Sequence, residues 1–227
     1  MVIIQLPEIN KKEKESMDFE IQEIDLDELL NGGAKELKNN IKTFEDLINL
    51  DGSLDREIYV FDIVSGTGTT IDGYIRFWNS YDERNNIPVE ERKPIKIYID
   101  SCGGSLTDTF TMIDAIKMSK TPVWTIAVGC AYSGGFFTFI SGHKRFAYPR
   151  ASFLFHEGST GTSGTSSQFE NYTVFYKRQL EQLKDVVLEN TNITEDEYRT
   201  IKKDDIWYTA EDGISKGFVD VITKELV

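Results

Sequence analysis

Cysteine and histidine are both scarce in this chain of 227 residues, with two of each. Cys102 and Cys130 make no C-x-x-C pair, and His143 and His156 cannot complete the usual zinc spacings, so neither metal nor cofactor is expected. Two thiols without a disulfide framework read as reduced cysteines of a cytoplasmic protein. Basic residues are also in short supply: Lys and Arg total 25 against 38 Asp and Glu, a net charge of −13. Phosphate backbones and anionic lipid are held by clustered Lys and Arg, so this balance argues against nucleic acid and against a membrane surface as partners. The opening MVIIQLPEINKKEKE has no basic stretch leading into an apolar one and does not read as a secretory signal. Residues 122–140, PVWTIAVGCAYSGGFFTFI, carry no charge and have the length of a membrane span. Three glycines, a serine and two threonines interrupt them, and a buried strand followed by a buried helix accounts for the stretch better.

What is present suits a globular protein. Apolar residues make up 40% and charged residues 28%. A chain of this length buries roughly 70% of its unfolded surface and needs no disulfide or metal staple. Residues 1–54 form a charged arm, with twelve acidic and six basic residues in the first fifty. The segments EIQEIDLDELL and KELKNNIKTFEDLINL, around Gly32-Gly33, read as short amphipathic helices of a solvated arm, with docking or gating as the sharper alternative. Residues 55–227 read as one domain. EIYVFDIV, IKIYID, VWTIAVG, RFAY, SFLFH and FVDVI are strand-like, and LTDTFTMIDAIKM and SGGFFTFISG are helical. Residues 157–167, EGSTGTSGTSS, should be exposed, and a long helix follows over 168–190. Thr194 with Glu197 fits a capping box, Thr209 caps a last helix and Gly217 ends it. Strands alternating with helices imply βαβ crossovers and an α/β fold.

Three loops that follow strands carry reactive groups, and strand ends are where α/β folds collect ligands. In Asp100-Ser101-Cys102-Gly103-Gly104-Ser105 the glycine pair allows a sharp turn and could supply half of an oxyanion hole, or be an ordinary strand-to-helix turn. In Gly129-Cys130-Ala131-Tyr132-Ser133-Gly134-Gly135 the serine stands between a strand and a helix among small residues. It is a candidate nucleophile, with the Gly134 N–H beside it, or a simple N-cap. His156 ends an apolar strand and is either a core histidine or a general base for the serine. Such a pair wants a carboxylate, and Glu157, Asp204, Asp205 and Asp220 all qualify.

Four pieces in order, IYIDSCGGS, TIAVGCAYSGGFF, KRFAYPRASFLFH and KKDDIWYTAEDGISKGFVD, resemble the ClpP family of Clp protease proteolytic subunits over about residues 56–224. The resemblance implies the ClpP/crotonase-type spiral of βαβ units, with a projecting helix-strand handle at about 157–190. It places Ser133 on the nucleophile, His156 on the base, Asp205 on the acid with Asp204 as fallback, and Gly104 and Gly134 on the oxyanion donors. It implies a serine endopeptidase that acts on peptides or unfolded proteins. Heptameric rings, stacked in pairs and fed by an AAA+ unfoldase, are the expected assembly, with the handle aromatics Tyr172, Phe175 and Tyr176 suited to an interface. The departures point to a divergent member, such as a phage-encoded or accessory one. Cys102 stands for the family's proline, Gly134 for a bulkier residue, often Met, and Glu157-Gly158 for Gln-Pro. Rival readings are an inactive scaffold or assembly subunit, a crotonase-type acyl-CoA enzyme that would need no such triad, and a Ser–Lys protease using Lys177 or Lys184.

Overall fold

A computed structural model describes residues 56–156, 158–201 and 205–227. The expected N-terminal arm, residues 1–54, lies outside them. The described chain is mixed α/β, with one seven-stranded sheet and, among the described residues, six α-helices. Strand β1 (Glu57–Ile63) leads to α1 (Thr67–Arg84), and β2 (Ile95–Gly104) to α2 (Leu106–Met118). Strand β3 (Val123–Tyr132) leads to α3 (Gly134–Ile140), followed by β4 (Lys144–Ala147) and β5 (Ser152–Phe155). The long α4 (Ser166–Asn190), α5 (Glu195–Ile201), β6 (Ile206–Thr209), α6 (Ala210–Ser215) and β7 (Val221–Ile222) complete it.

The sheet forks at β3. Its first half, Trp124 to Ala127, pairs with β4, which in turn pairs with β7. Its second half, Cys130 to Tyr132, pairs with β5, and β5 pairs with β6. All pairings are parallel except β5 with β6. Parallel strands are buried on both faces, which is why IKIYI and VWTIAV read as continuous apolar runs and not as alternation. The uncharged stretch from Val123 to Ile140 is therefore core: β3 and then α3, all seven of whose residues are buried. Among the described residues no helix is long and apolar enough to cross a membrane.

Helix α1 has no counterpart in the sequence reading. Its opening, Gly66-Thr67-Gly68-Thr69-Thr70, has the composition of a loop. The stripe behind it is helical, since Ile71, Ile75 and Trp78 are buried with Asp82 on the same face. Gly68 is there because a Cβ would stand 2.8 Å from the Asp108 Cα and 2.9 Å from the Thr111 Cβ, so α1 and α2 cross in near-backbone contact. The caps follow expectation more closely. Thr165 with Gln168 and Thr209 with Asp212 form complete capping boxes. Thr194 accepts the Glu197 N–H at 3.2 Å, but the Glu197 carboxylate turns to Lys216 instead of closing a box. Gly217, at φ 73, ends α6 as expected. The last strand shrinks from FVDVI to Val221–Ile222, because Phe218 and Val219 turn into the core.

Five fully buried phenylalanines tie α3 to the strands beneath it. Phe136 meets Phe218 at 5.3 Å between ring centroids, Phe153 meets Phe218 at 5.1 Å and Phe139 meets Phe153 at 5.0 Å, while Phe155 lies 5.9 Å from Phe136. Each such pair contributes about 0.5–1.5 kcal/mol beyond the area it buries. Helix α4 projects. Only Leu183 and Val187 of its 25 residues are buried, and Phe169, Val174 and Phe175 are exposed. The expected handle is thus present as its helix, while Gly158–Thr165 runs up to it without strand pairing. At the far end of the domain Arg56, at φ 60, donates to both Asp82 carboxylate oxygens, at 2.9 and 2.5 Å, and stacks on Trp78. Both partners are buried, so removing one strands the other. Asp82→Ala is expected to lower stability by about 3–5 kcal/mol, read from the urea midpoint.

Candidate active site

The fork brings three strand ends together. Ser133 follows β3 directly, at φ 53 and ψ −119, a left-handed conformation that a residue with a Cβ adopts only when its surroundings enforce it. Its N–H donates to the Leu154 carbonyl at 2.9 Å, which anchors it to β5. It occupies the N-cap position of α3, yet its side chain makes no capping hydrogen bond, so the hydroxyl is not spent on the helix.

His156 comes next, one residue beyond β5. The antiparallel ladder pairs Ser152 with Thr209, Phe153 with Tyr208, Leu154 with Trp207 and Phe155 with Ile206. One further step sets His156 opposite Asp205, and His156 Nδ1 lies 3.3 Å from Asp205 Oδ1. The imidazole is 30% exposed and the carboxylate 62%. Of the other candidate acids, Asp220 is engaged elsewhere: its oxygens accept from the Arg145 guanidinium at 2.7 and 3.0 Å and from the Arg145 N–H at 2.7 Å. Burial pushes the Asp220 carboxyl up, but these bonds outweigh it and hold the group below the usual carboxylate range. Glu157 and Asp204 lie outside the described residues. The remaining histidine, His143, lies in the turn before β4, outside the core. Its Nδ1 accepts the Val123 N–H at 3.0 Å, and burial, with Lys117 nearby, lowers its pKa. Lys184, a candidate of the Ser–Lys reading, is paired with Glu181 at 2.5 Å.

Cys102, Gly104, Ser133, Gly134 and His156 line one cleft of about 700 Å³ together with Leu154, Tyr172 and Tyr176. Tyr172 and Tyr176 stack on each other there at 6.3 Å and are half-buried, whereas Phe175 is exposed. The glycine loop is built to touch the serine. Gly103 has φ 95, and a Cβ on it would stand 2.7 Å from the Ser133 Cβ and 2.8 Å from the Gly134 nitrogen. A Cβ on Gly134 would stand 3.5 Å from the Gly104 nitrogen, so the two glycines are close neighbours. The same Cβ would meet Thr109 Oγ1 at 2.5 Å and Ile63 Cδ1 at 3.2 Å. Thr109 and Ile63 therefore account for the glycine where a bulkier side chain was expected. Gly158 has φ 77, a conformation closed to the proline that the resemblance would place there.

Asp108 escaped the sequence reading, though Ser105-x-x-Asp108 has capping-box form. Its Oδ1 accepts the N–H groups of Gly66 and Gly68, each at 2.9 Å, and its Oδ2 accepts the Ser105 hydroxyl at 2.6 Å. Ser105 N–H in turn donates to the Ile63 carbonyl at 2.7 Å. One carboxylate thus braces the start of α1, the start of α2 and the end of the Gly-Gly loop. Asp100 has a comparable role, accepting the Cys130 N–H at 2.9 Å where the β2–β3 ladder slips between the pairs Ile99–Ala127 and Ser101–Ala131.

A parallel α/β sheet with a strained serine, a histidine and two glycine amides around one cleft is the frame of a hydrolase site. The chain belongs to the Clp protease family, whose model matches residues 88–225. Among curated relatives, the ATP-dependent Clp protease proteolytic subunit 2 of Treponema denticola is 28% identical over 134 residues, which cover 58% of this chain and 67% of that protein. Subunit 1 of Streptomyces avermitilis is 34% identical over 145 residues, covering 60% and 64%. Subunit 2 of Corynebacterium glutamicum is 33% identical over 137 residues, covering 58% and 67%.

The hydrogen bonds from Ser105, Gly68 and Gly66 hold the Asp108 carboxyl below its ordinary range. A lowered folded-state pKa gives stability that is full above the unfolded value of about 3.9 and is lost as pH falls through the lower folded value. Asp108→Asn should therefore melt below the wild type at neutral pH, and the gap in Tm should close as the pH is taken below the ordinary carboxylate range.

Proposed function

We propose that the chain is a serine endopeptidase. The observation that carries this reading is the β5–β6 register, which sets His156 opposite Asp205 while the Leu154 carbonyl of the same strand holds Ser133. With Nδ1 carrying its proton toward Asp205, Nε2 of His156 keeps a lone pair for the Ser133 hydroxyl. His156 takes the hydroxyl proton as Ser133 Oγ attacks the scissile carbonyl. The developing oxyanion is received by the N–H groups of Gly104 and Gly134, and Asp205 stabilises the imidazolium. Protonation by His156 releases the amine, and water, activated by the same base, frees the acyl group from Ser133. Unfolded polypeptide is the natural substrate class, because an extended backbone can enter a cleft walled by Tyr172, Tyr176 and Leu154.

The relatives' names describe proteolytic subunits of an ATP-dependent protease. We further propose, from the family resemblance of the four motif pieces, that the chain assembles into heptameric rings, stacked in pairs and supplied by an AAA+ unfoldase. The exposed Phe169, Val174 and Phe175 of α4 are apolar surface suited to a subunit contact.

Ser133→Ala is expected to abolish labelling by a fluorophosphonate probe, and undiminished labelling removes Ser133 from the mechanism. Asp205→Asn should keep the fold but lower kcat on a fluorogenic peptide by orders of magnitude, up to about 10⁴-fold, through loss of the correct tautomer. Mass photometry should find particles many times the 25.9 kDa of one chain, and a particle of monomer mass would count against the ring.

A further inference from the structure

We propose that Cys102 and Cys130 form a reversible redox site, a disulfide made by peroxide, whose closure displaces the glycine loop beside Ser133. The bond itself does not depend on the peptidase reading; its effect on turnover does.

The two cysteines are the only ones in the chain, and they are neighbours. Their Sγ atoms stand 4.0 Å apart across β2 and β3. A disulfide needs about 2.05 Å, a difference of the size that side-chain rotation and small backbone shifts can cover. Both thiols lie outside the core on the same side of the sheet: Cys102 is exposed and Cys130 half-buried, while the adjacent Ser101 and Ala131 face the interior. The β2–β3 ladder is irregular at this point, and a bulged pair of strands has slack that a regular ladder lacks.

Cys102 also lines the cleft that holds Ser133. The next residue, Gly103, has no slack toward the site, since even a methyl group on it would overlap Ser133 and the Gly134 nitrogen. Drawing Cys102 toward Cys130 therefore moves Gly103 and Gly104, or Ser133 and Gly134, or both. The slack lies at the cysteines and the close contact lies at the serine.

The chemistry balances with a peroxide as oxidant. The exposed Cys102 sulfur attacks one peroxide oxygen; the S–O bond forms, the O–O bond breaks, and the departing oxygen leaves as water with the thiol proton. The Cys130 sulfur then attacks the Cys102 sulfur; the S–S bond forms, the S–O bond breaks, and a second water leaves with the Cys130 proton. Two thiols lose two electrons and two protons, and one peroxide becomes two waters. Burial, then Asp100 and Cys102 beside it, pushes the Cys130 thiol up to about 12. Cys130 is accordingly the resolving partner, and ring closure quickens as the pH rises. A dithiol reductant returns both thiols, the resting state of a reducing compartment.

The test treats the full chain with hydrogen peroxide and reads three quantities. Intact mass should fall by two hydrogen atoms, with a non-reducing peptide map joining the Cys102 and Cys130 peptides. Amide exchange should change at Gly103, Gly104, Ser133 and Gly134. Turnover of a fluorogenic peptide should fall roughly 10²-fold, the lower end of the loss when one oxyanion donor is removed, and recover with dithiothreitol. Cys130→Ala, which lies outside the cleft lining, should abolish all three responses while matching the reduced wild type without peroxide. Absence of the joined peptide overturns the site. A joined peptide with unchanged exchange at the four amides overturns the coupling, even if the chain cleaves no peptide. Should Cys130→Ala fold poorly, Cys102→Ala supplies the mass control.

Discussion

The pairing of β5 with β6 is the constraint on which the site rests. Among the described residues it is the one antiparallel ladder in an otherwise parallel sheet, and it is four residues long. Side chains alternate across a strand, so a slip of one residue would turn the Asp205 carboxylate to the opposite face and leave His156 without it. Several contacts hold the register. Tyr208 packs on Phe218 at 5.6 Å, Trp207 stands edge-on to Tyr132 at 5.0 Å, and the Thr209–Asp212 capping box ends the strand by starting α6. The Tyr132 hydroxyl, 2.7 Å from Ser152 Oγ, ties β3 to the first residue of β5. The residues that secure the strand are thus aromatic and hydroxyl neighbours, with the Asp212 carboxylate closing the cap at its end.

The second constraint is closeness. The Gly-Gly loop, the serine turn and the α1–α2 crossing all bring backbone within van der Waals range of backbone. Asp108 gathers them with three hydrogen bonds, two from the start of α1 and one from the end of the Gly-Gly loop. The phenylalanine cluster supports α3 from below, so the strained Ser133 is held between a packed core and the Leu154 carbonyl. A strained backbone of this kind persists only where the surroundings over-determine it. The same closeness links the two thiols to the site, because a loop without free volume passes on any displacement at its edge.

Much of this was legible in the amino-acid order. Buried parallel strands announce themselves as uninterrupted apolar runs, and IKIYI, VWTIAV and SFLF are such runs. The long helix, the caps at Thr209 and Gly217 and the division of residues 122–140 into a strand and a helix follow from residue type and spacing. Ser133, His156 and the Gly103-Gly104 pair stand out because each stands at the end of a strand-like run. Helix α1 was not legible, since its Gly- and Thr-rich opening hides a helical stripe whose meaning depends on α2 lying against it. Asp108 is similar: its contact with Ser105 is local, but its donors at residues 66 and 68 are joined to it only by folding.

Local sequence therefore determined the kinds of element, the strand ends and the side chains capable of acyl-transfer chemistry, because those depend on periodicity and on a few neighbouring residues. Tertiary structure decided which acid faces the histidine. Four carboxylates were equal candidates in the bare reading of the residues. The ladder from Phe155–Ile206 carries Asp205 to His156, whereas Arg145 holds Asp220 elsewhere. It also decided why position 134 is glycine, through the space taken by Thr109 and Ile63, and why two cysteines 28 positions apart are neighbours. Proximity between segments distant in the chain is a property of the sheet's register, and register exists only once the strands have paired.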